Sequence, residues 1–231
     1  MIGDPAPLVY DAPLLLVGGA PFSSLALNAA HAALGGAAPV AAADGGADRL
    51  AALGRMPGAV IGDMDSVADA EAWRARLGDR FLHVAEQDST DLQKCLRLTR
   101  APLTLGVGFM DGRLDHTLAA LTALVEARMA GRSVVLLGEE DCAAALPTRW
   151  SARVGAGARV SLYPLAPVRA LGCAGLEWPA AGLDFAPAGR IGTSNRAAAE
   201  VVALETDAPG MVAVLPRTSL PALLESLAAG T

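Results

Sequence analysis

The chain has 231 residues, enough to bury a sizeable core and to form one large domain or two smaller ones. Its formal charge of −6 argues against nucleic acid as the main partner, because phosphate binding favours a basic face. Ala and Gly supply much of the 53% hydrophobic content, and the least polar stretch, 28–43, is broken by His31 and Pro39, which argues against a membrane span.

In chain order, the apolar run 14–17 predicts a strand and Gly18-Gly19 the turn after it. Ser23 or Ser24 can cap a helix reaching about residue 34. Residues 39–43 lead to Asp44, 47–53 make a short helix, 59–61 a buried strand and 68–77 a helix. A strand at 81–84 follows, and Ser89 or Thr90 can cap a helix through 98. Residues 103–107 read as a strand, 115–130 as a helix and 133–137 as the last strand of the series. This βαβα rhythm predicts an α/β domain at 1–139 with a mostly parallel sheet between helices. Beyond Glu139 the pattern changes to short segments at 160–163, 168–171, 199–204 and 211–215, punctuated by Gly and Pro. They predict a smaller all-β antiparallel sandwich domain at 140–231, with 207–210 as a hairpin turn and 221–227 as a terminal helix.

No basic segment precedes Leu14, so no secretory signal is expected and the reading is a soluble cytoplasmic protein. Cys95, Cys142 and Cys173 are odd in number and widely spaced, forming neither a zinc pattern nor a disulfide framework. They read as buried structural thiols. Lys94 is the only lysine, and no P-loop is present, so phosphate chemistry here is expected to use arginine, metal ions and backbone N–H groups.

Gly62-Asp63-Met64-Asp65-Ser66 closes the strand at 59–61. Carboxylates at i and i+2 of an extended segment point the same way, at the strand end where open α/β sheets bind ligands. That arrangement suits a hard divalent cation such as Mg²⁺. Asp44, Asp91 and Asp115 fall at or just after other strands on the same edge. Taken singly, each reads as a helix cap or turn residue. Together with Arg113, whose planar fork matches phosphate oxygens, they point to a nucleotide-dependent transferase.

The segments Asp44-Gly45-Gly46-Ala47, Gly62-Asp63-Met64-Asp65-Ser66, Gln87-Asp88-Ser89-Thr90-Asp91 and Gly112-Arg113-Leu114-Asp115-His116 occur in this order. Gly175-Leu176-Glu177-Trp178-Pro179 and Gly192-Thr193-Ser194-Asn195 follow. This ordered set, spanning about residues 14–216, resembles thiamine pyrophosphokinase. The resemblance implies transfer of diphosphate from ATP to the hydroxyl of thiamine, in a homodimer with active sites between subunits. It implies Mg²⁺ on Asp63, Asp65 and Asp91, with Arg113 gripping phosphate and Asp115 orienting or deprotonating the thiamine hydroxyl. Asp44, Gln87, Thr90 and His116 fall on the ATP side, and Ser194 and Asn195 on the thiamine side. Trp178 has two readings, an aromatic face for the cationic thiazolium or a core tryptophan under Pro179. Where some family members have Ser before Thr-Ser-Asn, this chain has Gly192. Three rivals share the donor features: a diphosphokinase for another small alcohol such as a hydroxymethylpterin, a metal-dependent phosphohydrolase, and a non-catalytic thiamine or nucleotide sensor.

Overall fold

The computed structural model describes residues 5–228. It divides into two compact units, one holding residues up to 120 with 137–139, the other 121–136 with the chain from 140 onward.

The first unit opens with β1 (Leu8–Val9), β2 (Leu14–Val17), α1 (Ser24–Ala33), β3 (Val40–Ala43), α2 (Gly46–Ala52) and β4 (Ala59–Gly62). It continues through α3 (Ala70–Leu77), β5 (Phe81–His83), α4 (Asp91–Leu98), β6 (Thr99–Arg100), β7 (Thr104–Val107) and the start of α5 (Leu114–Met129). The strands β7, β2, β3, β4 and β5 pair in that order, all parallel. Every residue of β2, β4 and β7 is buried, which requires cover on both faces of the sheet. Helix starts follow local chemistry. The Ser23 side chain accepts from the Ala26 N–H, Asp69 caps α3, and Thr90 forms a reciprocal capping box with Gln93 at the head of α4.

The second unit contains β8 (Val134–Leu137, whose last residue falls in the first unit), β9 (Asp141–Ala145), β10 (Arg149–Ala152), β11 (Arg159–Pro164) and β12 (Val168–Ala174). Then come β13 (Asp184–Phe185), β14 (Gly192–Arg196), β15 (Val202–Thr206), β16 (Met211–Pro216) and α6 (Leu220–Ala228). Antiparallel pairing runs β14-β11-β16-β9 in one set and β10-β15-β12-β13 in another. The alternating burial of β15 leaves one face of its strand inward, as a sandwich requires. The expected hairpin at 207–210 does not form, because β15 and β16 pair in different sets. Asp207 explains the departure: its carboxylate accepts from the Arg169 N–H at 2.8 Å and its own N–H donates to the Arg169 carbonyl, tying the turn to β12. Among the described residues no helix is long and apolar enough to cross a membrane. Cys95 and Cys142 are buried and Cys173 is half-buried, all three as free thiols.

Candidate active site

The chain leaves β2 toward β3, β4 and β5, then returns on the other side of β2 as β7. Loops following β2 and β7 therefore diverge at a topological switch point, the position where such sheets form a ligand crevice. Asp44 follows β3 directly, in the left-handed region at φ 45. Its N–H is held by the Ile61 carbonyl, and its Oδ2 accepts from the Ser66 N–H at 3.2 Å. Gly62 allows this approach, since a Cβ there would lie 2.9 Å from that of Asp44. Asp44 is 2% exposed, yet its Oδ1 has no hydrogen-bond partner among the described residues. Burial, reinforced by the charge of Asp91, pushes its carboxyl up to about 6.

Asp63 and Asp65 converge by a different route from the one the sequence suggests. The strand ends at Gly62, and Met64 turns left-handed at φ 66. An Asx-type contact from the Asp65 N–H to Asp63 Oδ1, 3.4 Å, accompanies the turn. A non-glycine residue in this region is strained and persists where the surroundings fix it. The turn brings Asp44, Asp63 and Asp65 together, with one carboxylate oxygen from each lying within 4.8 Å of the others.

Asp91, the first residue of α4, is set apart from this trio and faces Lys94 at 3.7 Å. Sequence reasoning treated Lys94 only as a compositional oddity. The structure buries it on the inner face of α4, 1% exposed, with its Nζ 2.5 Å from Asp63 Oδ2. The signal was present, a lone lysine three residues after Asp91 on the apolar side of a helix. Burial pushes the Asp63 carboxyl up, but the hydrogen bonds from Lys94 and the Asp65 backbone outweigh it and leave the group low. Burial holds Asp91 above its usual range despite Lys94. Gln87 also joins the cluster, its amide donating to Asp63 Oδ2 at 3.1 Å.

A cavity of about 480 Å³ opens beside these groups, within the range of small-molecule sites. Asp44, Thr90, Asp91, Arg113 and His116 line it, together with Arg49, which the sequence reading did not single out. Arg49 is anchored by a 2.5 Å bond from Nε to the Gly19 carbonyl in the loop after β2. Arg113 and Asp115 form an exposed ion pair, with Nη2 to Oδ2 at 2.6 Å and Nε to Oδ1 at 3.2 Å. That hydrogen bond holds the Asp115 carboxyl below its usual range. The loop before α4 is organised by Glu86, which accepts from the N–H groups of Asp88 and Ser89 and from the Ser89 hydroxyl; the last contact dominates in pulling its carboxyl down to about 2.

In the second unit, Asn195 is buried and fully occupied by backbone. Its Oδ1 accepts from the N–H groups of Trp178 (3.2 Å) and Arg196 (2.8 Å), while Nδ2 donates to the Trp178 carbonyl at 2.8 Å. The amide thus fixes the backbone of Trp178, whose side chain is 54% exposed and is not a core tryptophan. Ser194 is exposed in the left-handed region at φ 60. A Cβ at Gly192 would lie 3.1 Å from the Leu162 carbonyl, so a larger residue would crowd β11 here. Asn195→Ala is expected to lose about 2–3 kcal/mol of stability, read from the shift in urea midpoint.

Residues 31–136 match the family model described as "Thiamin pyrophosphokinase, catalytic domain". That segment, somewhat under half of the chain, is similar to the thiamin pyrophosphokinase catalytic domain. It is similar to "Thiamine pyrophosphokinase 2" of Arabidopsis thaliana, 26% identical over 183 residues, 71% of this chain and 68% of the relative. Its fold is that of the yeast thiamin pyrophosphokinase structure (TM-score 0.74, 17% identity, covering 91% of this chain and 88% of that one). The thiamin pyrophosphokinase from Geobacillus thermodenitrificans shares it too (TM-score 0.70, 22% identity, 88% and 96%). The segment matching the thiamine pyrophosphokinase catalytic domain contains Asp44, Asp63, Asp65, Gln87, Thr90, Asp91, Lys94, Arg113, Asp115 and His116. Trp178, Ser194 and Asn195 lie beyond it.

Proposed function

We propose that this protein transfers the diphosphate of ATP to the hydroxyl of thiamine, giving thiamine diphosphate and AMP. The observation that carries the reading is the unpartnered Oδ1 of buried Asp44 beside Asp63 and Asp65, at the edge of a cavity lined by arginine. A buried carboxylate oxygen without a donor is a costly feature that a cation relieves. Three oxygen donors at this spacing fit Mg²⁺. Asp44, Asp63 and Asp65 would hold the ion. When bound, Mg²⁺ supplies charge neutralisation to the phosphate oxygens.

This chain's own residues do the positioning, which accounts for most of the work in phosphoryl-type transfer. Arg49 and Arg113 present donors to the triphosphate, and His116 and Thr90 complete the same wall. Asp115, held low by Arg113, orients the thiamine hydroxyl more readily than it deprotonates it. The new bond forms between that oxygen and the β-phosphorus, the β-phosphorus bond to the bridging oxygen breaks so that AMP leaves with that oxygen, and the hydroxyl proton passes to solvent. Trp178 and Ser194 are the candidate thiamine contacts, and a homodimer would bring them to the site of a second subunit.

Incubation of the protein with ATP, Mg²⁺ and thiamine tests the reading. Thiamine diphosphate and AMP are expected in equal amounts, with neither formed when thiamine or Mg²⁺ is left out. Inorganic phosphate without thiamine would indicate a phosphohydrolase, and AMP formed only with a different alcohol would reassign the acceptor.

A further inference from the structure

Every Lys or Arg in this chain is an arginine except Lys94, and Lys94 is the largest fully buried side chain among the described residues. A guanidinium is a broad planar fork, whereas an ammonium is a compact point charge. A compact cation is what the space between Asp63 and Asp91 accommodates, with Nζ 2.5 Å from one carboxylate and 3.7 Å from the other. Lys94 does not line the cavity, so its charge is directed at carboxylates and not at a substrate phosphate.

Four carboxylates at this density repel one another unless a cation or proton offsets them. The unpartnered Oδ1 of Asp44 marks the place where a mobile cation is needed; the Asp63–Asp91 side is already compensated by Lys94. We propose that Lys94 is a built-in cation standing where a second divalent ion would bridge Asp63 and Asp91, so that the free cluster takes a single ion on Asp44, Asp63 and Asp65. Lys94 is then a positioning residue: it fixes the orientation of Asp63, which the ion shares, and sets the metal stoichiometry. The inference rests on the assignment of a divalent ion to that trio.

Mn²⁺ titration without nucleotide, followed by electron paramagnetic resonance, tests it on the wild type, Lys94→Met and Lys94→Gln. Thermal unfolding is recorded with and without Mn²⁺. One ion per chain is expected for the wild type and two for each variant, the second being lost when Asp91→Asn is added. The rise in Tm on adding Mn²⁺ should be roughly twofold larger in the variants, because the ion replaces a missing internal charge. A variant that folds only in Mn²⁺ gives the same result in thermal form. Two ions in the wild type, or one in well-folded variants with unchanged affinity, overturns the proposal while leaving the trio assignment standing. No ion in the wild type overturns both. Variants that stay unfolded even in Mn²⁺ show Lys94 to be a packing residue and also overturn it.

Discussion

Asp63→Ala is expected to lose about 3–5 kcal/mol of stability along with its activity, whereas Asp65→Ala loses activity alone. Either aspartate at the end of β4 would serve as a metal ligand, but their surroundings differ. Asp63 is the close partner of an ammonium that is 1% exposed, and truncating it leaves that buried charge facing only the more distant Asp91, at 3.7 Å. Asp65 is exposed, and its side chain accepts a local bond from the Ser66 hydroxyl, at 2.9 Å. For a chain of this size the Asp63 loss corresponds to a fall in Tm of roughly 10 °C. For Asp65→Ala the fall should be within about 2 °C, as is usual for surface substitutions. Both should slow AMP formation by at least about 100-fold, the order expected when transition-state charge loses its compensation. Equal stability of the two variants would contradict the buried ion pair, and near-normal turnover of Asp65→Ala at saturating Mg²⁺ would remove it from the metal set.

The α/β half was readable because its signals are local and agree with one another. Buried parallel strands leave uninterrupted apolar runs such as 14–17, and Thr90 and Ser23 announce their helices by capping chemistry. The acidic residues were readable because each follows a strand. Their geometry was not, since an extended Asp-x-Asp and one turning through a left-handed Met64 share the same letters. The β half resisted for a related reason. β9 is Asp-Cys-Ala-Ala-Ala, a composition of weak strand propensity that becomes a strand by pairing with β16, about 70 residues away. β14 carries Gly-Thr-Ser-Asn-Arg and likewise has no apolar alternation to announce it. Asn195 illustrates the limit at a single residue: the motif marks it as a ligand contact, whereas its amide is spent on the backbone of Trp178.

Asp44→Asn is expected to abolish Mg²⁺-dependent transfer and to make the metal-free protein more stable, a pair of effects that a purely structural aspartate would not give. The wild-type carboxyl is pushed up to about 6, from an ordinary 3.8, by burial and by the neighbouring Asp91. A group held above its unfolded value binds its proton more tightly in the folded state. Its contribution to stability is therefore present in full below the unfolded value and is lost as pH rises through about 6. At pH 7–8 the metal-free protein carries the cost of an ionised, unsatisfied Asp44, about 3 kcal/mol from the difference between the two values. Asparagine keeps an oxygen to accept the Ser66 N–H and carries no charge, so the cost disappears. Metal-free wild type should accordingly gain Tm as pH falls from 7 to 5, by roughly 3–5 °C, since about 1.3 kcal/mol of the cost is recovered over that interval. The Asn variant should start higher and change less, with the residual slope coming from Asp91, which burial also holds above its usual range. Added Mg²⁺ should raise the wild-type Tm at pH 7.5 and leave the variant nearly unmoved, because the ion stabilises only the chain that offers it a carboxylate. A variant less stable than wild type without metal would mean that Asp44 is ionised and satisfied by the protein itself, and the cation would lose its reason to bind there.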